Sequence, residues 1–172
     1  MKYVVVYTSR TGNTRLIAET VKDELGSDAT LVEFSMDMQV DKAAMLFIGY
    51  WCDKGTCSIE LTQWISTLHG RKIALFGTAG FGGGMEYFNR IARTVEALLP
   101  DDNEVYGSWL CQGRMPQSVR DRYVALLEKH PGDGKSRQAL ENFDKASTHP
   151  DQGDLDDARL FVGDMLKLVA AD

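Results

Sequence analysis

Apolar residues in this chain fall into short unbroken runs, separated by stretches where they recur every three or four positions. The runs lie at residues 3–8, 30–34, 44–50, 72–77 and 104–110. They are rich in β-branched side chains and show little polar alternation, which predicts strands covered on both faces. Helical spacing predicts helices over 13–25, 58–68 and 85–99 between them. In the last, Phe88, Ile91, Ala92, Val95, Leu98 and Leu99 line one face. Strand-helix alternation of this kind implies a parallel sheet with right-handed crossovers, an α/β fold.

After the fifth run the pattern changes. A helix is expected over 116–129, with Val119, Tyr123, Leu126 and Leu127 on one side, ended by His130-Pro131-Gly132-Asp133-Gly134. A more polar helix is expected over 137–146, followed by a break at His149-Pro150-Asp151. A final amphipathic helix over 155–169 presents Leu155, Ala158, Phe161, Val162, Met165, Leu166 and Val169 as its buried stripe. That helix closes the fold, so residues 115–150 read as a helical insertion into one domain spanning 1–172.

A length of 172 residues suits a single core. With 44% hydrophobic and 26% charged residues, the composition is that of a soluble globular protein. No apolar stretch is long enough to span a bilayer, and the chain enters a strand at once, so a cytoplasmic location without a membrane is expected. The net charge of −6 argues against nucleic acid as a partner and leaves basic proteins possible. The number of cysteines, 3, is odd and does not make a closed disulfide framework.

The densest chemical signal lies between the first strand and the first helix. Ser9-Arg10-Thr11-Gly12-Asn13-Thr14 puts hydroxyls and a glycine where a helix begins. Free N–H groups and the positive end of the helix dipole converge there, which suits a phosphate. A helix start merely capped by a hydroxyl would share part of the pattern, but a cap needs one hydroxyl and this loop has several. A Walker loop would end in Gly-Lys-Ser/Thr, and a dinucleotide fingerprint would need three spaced glycines; neither is present. A receiver-type signalling domain would need acidic residues after the first strand and an aspartate ending the third, where Thr8-Ser9 and Tyr50-Trp51 stand.

This loop resembles the FMN phosphate loop of the flavodoxin family, roughly Ser/Thr-x-Thr-Gly-Asn-Thr. Two further loops carry the resemblance. Tyr50-Trp51-Cys52-Asp53-Lys54-Gly55 looks like the family loop that sets an aromatic against the flavin ring and a glycine beside N5. Leu75-Phe76-Gly77-Thr78-Ala79-Gly80-Phe81, ahead of further glycines, looks like its pyrimidine-binding loop. The three motifs occur in order and cover most of residues 1–113. The resemblance implies a flavodoxin-like three-layer sandwich with a five-stranded sheet in the order 2-1-3-4-5, and FMN bound beyond the carboxyl ends of the strands. It also implies electron transfer between redox partner proteins by a monomer or weak dimer, with no catalytic side chain and no metal. Trp51-x-Asp53-Lys54-Gly55-Thr56, Cys111-Gln112-Gly113-Arg114-Met115 and His149-Pro150-Asp151 with Asp154-Leu155 look like flavodoxin-like proteins of anaerobic bacteria, one branch of which accompanies bilirubin reductase.

On this reading Trp51 stacks on the ring, while Tyr50 either does so or lies under the strand end. Phe81 and Tyr87 compete for the other face. In the family a peptide next to N5 flips when the ring gains a hydrogen, and Gly55 would permit both conformations. Lys54 either points into water or approaches the N1 edge. There it would favour the anionic reduced ring and make the lowest potential less negative, an effect that replacement by Met should remove. Cys52 and Cys57 lack the spacing of a redox dithiol. Cys111-Gln112-Gly113-Arg114 is too short for a phosphatase loop, and His69, His130 and His149 are dispersed. Arg114 and Met115 are placed to approach the open edge of the flavin. Two alternatives stay open: an FMN-dependent reductase of a small molecule such as a quinone, with the insertion walling a substrate pocket, or an accessory subunit of a larger reductase.

Overall fold

A computed structural model describes residues 2–82 and 84–172. The elements run β1 (Tyr3–Tyr7), α1 (Asn13–Leu25), β2 (Ala29–Glu33), β3 (Met45–Trp51), α2 (Ile59–Ile65), β4 (Lys72–Ala79), α3 (Met85–Glu96), β5 (Glu104–Gln112), α4 (Gln117–Lys129), α5 (Gly134–Ala146) and α6 (Gln152–Ala171). The sheet order is β2-β1-β3-β4-β5, and every pairing is parallel. This is the expected architecture, with helices on both faces. The central strands β1, β3 and β4 are buried almost throughout, which explains their unbroken apolar runs.

Two cores flank the sheet. On one face Val6, Leu46, Ile48 and Leu75 pack against Leu61 and Ile65 of α2 and Ile91 and Val95 of α3. On the other, Val5, Phe47 and Phe76 pack against Ile17 and Val21 of α1 and Ala158, Phe161 and Val162 of α6. The whole predicted stripe of α6 contributes to that second core.

Successive strand residues face opposite sides, and β3 and β4 use this in reciprocal fashion. Gly49 pairs with Phe76 and Tyr50 with Gly77. A Cβ on Gly49 would lie 2.4 Å from the Phe76 ring, and one on Gly77 would lie 3.0 Å from the Tyr50 ring. Each glycine thus makes room for the aromatic of its neighbour strand, on opposite faces of the sheet.

The element ends differ from the expected ones by a few residues. β5 continues to Gln112, two residues past the expected end, and α5 starts at Gly134 because Asp133 caps it, accepting from the Lys135 N–H at 3.1 Å. α4 departs further. It forms where expected, but none of its residues is fully buried, and Leu126 is exposed. It packs mainly beside α5 and outside the main cores, with Tyr123 against Phe81 and Val119 on the cavity described below. The segment between Arg114 and His149 is closed at its base, where the Arg114 N–H donates to the His149 carbonyl at 2.9 Å.

α5 reaches back onto the sheet. Asn142 Nδ2 donates to the Gly80 carbonyl at 3.1 Å, and its Oδ1 accepts from the Gly82 N–H at 3.2 Å. Gln112 Nε2 also donates to the Gly80 carbonyl. Asn142→Ala removes the acceptor of the Gly82 N–H. It should cost about 1 kcal/mol in a urea titration, within the range for a part-buried hydrogen bond.

Candidate functional site

Strands β1, β3 and β4 all end at the same edge of the sheet, and a cavity of about 610 Å³ opens there. Switch points of this kind are where parallel sheets hold ligands. The cavity is walled by three loops and by the start of α4.

The first wall is the loop into α1. Gly12 adopts φ +87°, a left-handed conformation that a side chain would strain, and a Cβ there would meet nothing within 4 Å. Ser9 Oγ accepts from the N–H of Gly12 at 3.1 Å and of Arg15 at 3.3 Å, so one hydroxyl serves as the helix cap. Among the described residues no acceptor takes the N–H groups of Thr11, Asn13 or Thr14. Capping therefore accounts for Ser9 and leaves the remaining donors open to an anion. Thr14 is buried and its hydroxyl lies 2.9 Å from that of Thr78, tying the loop to β4. Asn13 donates to Thr11 Oγ1 at 3.0 Å and to the Arg114 carbonyl at 2.8 Å, tying it to the end of β5. Asn13 Oδ1 and Thr8 Oγ1 are buried without a partner among the described residues.

The second wall follows β3. Asp53 and Thr56 exchange two backbone hydrogen bonds, of 2.7 and 3.1 Å, around Lys54 and Gly55. Both central residues have positive φ, +51° and +90°, as a type I′ turn requires. Glycine is at ease there; Lys54 is the one described non-glycine residue with positive φ, and strain of this kind concentrates at functional sites. Trp51 stands at the wall, half-buried, with the Arg10 guanidinium 5.6 Å from its ring centroid, a cation–π contact. Cys52 lines the cavity, and burial pushes its thiol pKa up.

The third wall follows β4. Thr78, Gly80 and Phe81 line the cavity. Phe81 is 40% exposed and meets Tyr123 of α4 edge-on at 6.4 Å. Gly80 is closely covered, since a Cβ there would sit 2.4 Å from Met115 Cγ. Expected site residues thus divide. Arg10, Thr11, Asn13, Trp51, Asp53, Lys54, Gly55, Thr78, Gly80 and Phe81 share the cavity. Ser9, Gly12 and Thr14 shape the loop behind it. Tyr50, Gly77 and Ala79 are off its wall: Tyr50 is fully buried over Gly77, so of its two open placements it takes the one under the strand end.

The fourth wall comes from the insertion, which was expected to wall a pocket only on the reductase alternative. Pro116, Ser118, Val119 and Arg122, from the start of α4, complete the cavity together with Arg114, Met115 and Tyr87. Arg114 and Met115 line the cavity beside Gly80. The three dispersed histidines give way in one place. His149, Asp151 and Asp154 bring their ligand atoms within 4.8 Å of one another. Those groups are engaged as the cap of α6, with His149 Nδ1 2.6 Å from Asp154 Oδ2, and Asp151 and Asp154 accepting each other's N–H.

A five-stranded sheet in this order, with a hydroxyl-rich loop after β1 and a tryptophan ahead of the turn after β3, defines a class. A sequence model of the flavodoxin domain matches residues 4–163, and the chain belongs to the flavodoxin family. Within it the relatives are of the BilS type. The chain is 35% identical to the flavodoxin-like domain-containing protein BilS of Clostridioides difficile (strain CD3), over 96% of this chain and 97% of that one. It is 36% identical to the protein of the same name from Clostridium symbiosum (strain WAL-14163), over 90% of each. Among solved structures, a short-chain flavodoxin associated with a non-canonical PDU bacterial microcompartment superposes with TM-score 0.59 at 17% identity, covering 98% of this chain and 99% of that one. Rubredoxin oxygen:oxidoreductase from the anaerobe Desulfovibrio gigas superposes with TM-score 0.61 at 11% identity, over 99% of this chain and 36% of that one. These likenesses concern the fold. Among the described residues no helix is long and apolar enough to cross a membrane.

Proposed function

We propose that this chain binds FMN in the cavity at the ends of β1, β3 and β4 and passes electrons between redox partner proteins. The observation that carries the reading is the pairing of unspent N–H donors at the start of α1 with an indole face, Trp51, on one continuous cavity. A phosphate monoester answers the first and a flat conjugated ring the second. Thr11, Gly12, Asn13 and Thr14 would hold the phosphate, with Ser9 setting the loop. Trp51 would flank the ring, the Asp53-Lys54-Gly55 turn would border one edge, and Thr78, Gly80 and Phe81 the other. The flavin, when bound, supplies one- and two-electron redox chemistry. The protein's part is to orient the ring, exclude water from one face and leave an edge accessible.

The experiment is a visible-absorption titration of the purified chain with FMN, followed by stepwise anaerobic reduction. The expected result is binding, with reduction in two resolved one-electron stages. Failure to bind at micromolar protein would overturn the reading and favour an accessory role without flavin. One feature favours a second reading, an FMN-dependent reductase of a small molecule: the wall that α4 adds over the cavity. Reduction in a single two-electron stage, with rapid reoxidation by quinones, would support it.

A further inference from the structure

The cavity rim has a charge opposite to that of the chain. The net charge is −6, yet the lining carries Arg10, Lys54, Arg114 and Arg122 against the single carboxylate of Asp53. All four cations are exposed. Among the described residues none of the four has a carboxylate within ion-pair distance, so the positive charge they bring to the rim is not cancelled locally. Two of them have aromatic contacts: Arg10 lies over Trp51, and Arg122 lies over Tyr123 at 5.0 Å. An aromatic partner leaves the positive charge uncompensated and holds its side chain in place. Unneutralised charge around a concave, partly apolar mouth focuses the field outward from it. A bound phosphate would draw on Arg10 and the N–H groups of the α1 loop. Lys54 of the turn after β3, Arg114 after β5 and Arg122 of α4 remain for something else.

We infer that this rim is a docking surface for an acidic face of the electron-transfer partner protein, an inference that rests on the proposed function for its purpose. The acidic remainder of the chain would repel such a partner in other orientations, so attraction at the rim also selects the approach that brings the partner to the cavity. The partner's matching surface should be rich in Asp and Glu around its own electron-accepting group.

The test uses fluorescently labelled decaglutamate as probe and decalysine as control, with anisotropy measured on the whole chain, with and without added FMN. Decaglutamate should bind at low salt despite the net charge. Raising ionic strength from about 0.01 M to about 0.15 M shortens the screening length from about 30 Å to about 8 Å and should release it. The double variant Arg114→Glu/Arg122→Glu should weaken binding at least about tenfold. The control pair Lys42→Glu/Lys129→Glu, exposed and off the rim, changes net charge equally and should have little effect. Absence of decaglutamate binding, equal loss in both double variants, or tighter binding of decalysine to the rim would overturn the inference. Displacement by inorganic phosphate at the same concentration of charge would overturn a protein partner in favour of a small anion. The measurement without FMN decides the surface even if FMN does not bind, so failure of the proposed function is read separately.

Discussion

Phe76→Ala should destabilise the chain by about 3–5 kcal/mol, the largest effect of any single substitution considered. The ring is fully buried and covers Gly49 of the neighbouring strand, so its removal empties a space with no side chain beneath it. Gly49→Ala should also destabilise, by about 1–3 kcal/mol, because its new methyl would lie 2.4 Å from the Phe76 ring, which core packing holds in place. The informative variant is the pair. In Gly49→Ala/Phe76→Ala the methyl occupies part of the emptied space and meets no ring. The double change should then cost less than the sum by at least about 1 kcal/mol, as contacting residues do when they share a cavity. Urea midpoints for the single and double variants measure this. Strict additivity would mean that the two residues do not share the space.

Trp51→Ala should weaken FMN binding roughly 10- to 100-fold, corresponding to about 1.4–2.8 kcal/mol for a lost aromatic face. The indole is the one tryptophan on the cavity wall, and it is already positioned by the end of β3 and by Arg10. Trp51→Phe, which keeps a flat face, should recover most of the affinity. Arg10→Ala should have a smaller effect, since backbone donors of the α1 loop remain. Quenching of FMN fluorescence on titration reads all three. Wild-type affinity in Trp51→Ala would move the ring to the Phe81 side of the cavity.

The sequence carried the sheet because strands covered on both faces need apolar side chains at nearly every position, and β1, β3 and β4 come close to that. It carried α1 to the residue, since Gly12 and the following apolar spacing mark its start and Gly26 its end. It also carried α6, whose long apolar stripe meets a single core. α4 was legible as a helix, and the insertion as a possible wall, but not which of its residues would form that wall. Val119, Tyr123, Leu126 and Leu127 read as one buried stripe, but none is fully buried, and nothing local reveals that Tyr123 meets Phe81 or that Ser118, Val119 and Arg122 meet the three loops. Tyr50 and Trp51 are neighbours of similar character. Which of them faces the cavity depends on strand register and on Gly77 in another strand, information that lies 26 to 27 positions away. The positive φ of Lys54 was hidden for a related reason: Lys is an uncommon residue for that place in a turn, and the Asp53–Thr56 pairing imposes it.

The Asn142 contacts have a bearing on how this domain can be cut. Residues 115–150 look excisable, because Arg114 and His149 meet at the base and a short linker would join β5 to α6. A trimmed protein made that way would keep its five strands and four of its helices. It would lose Met115 from above Gly80, as well as the amide that holds the Gly80 carbonyl and the Gly82 N–H. Gln112 would still hold the Gly80 carbonyl, but the Gly82 N–H would lose its acceptor and the rim of the glycine loop most of its support. The segment is an appendage by topology and a structural member by contact, and any miniaturised version must graft a replacement strut before it can be expected to keep the shape of the cavity.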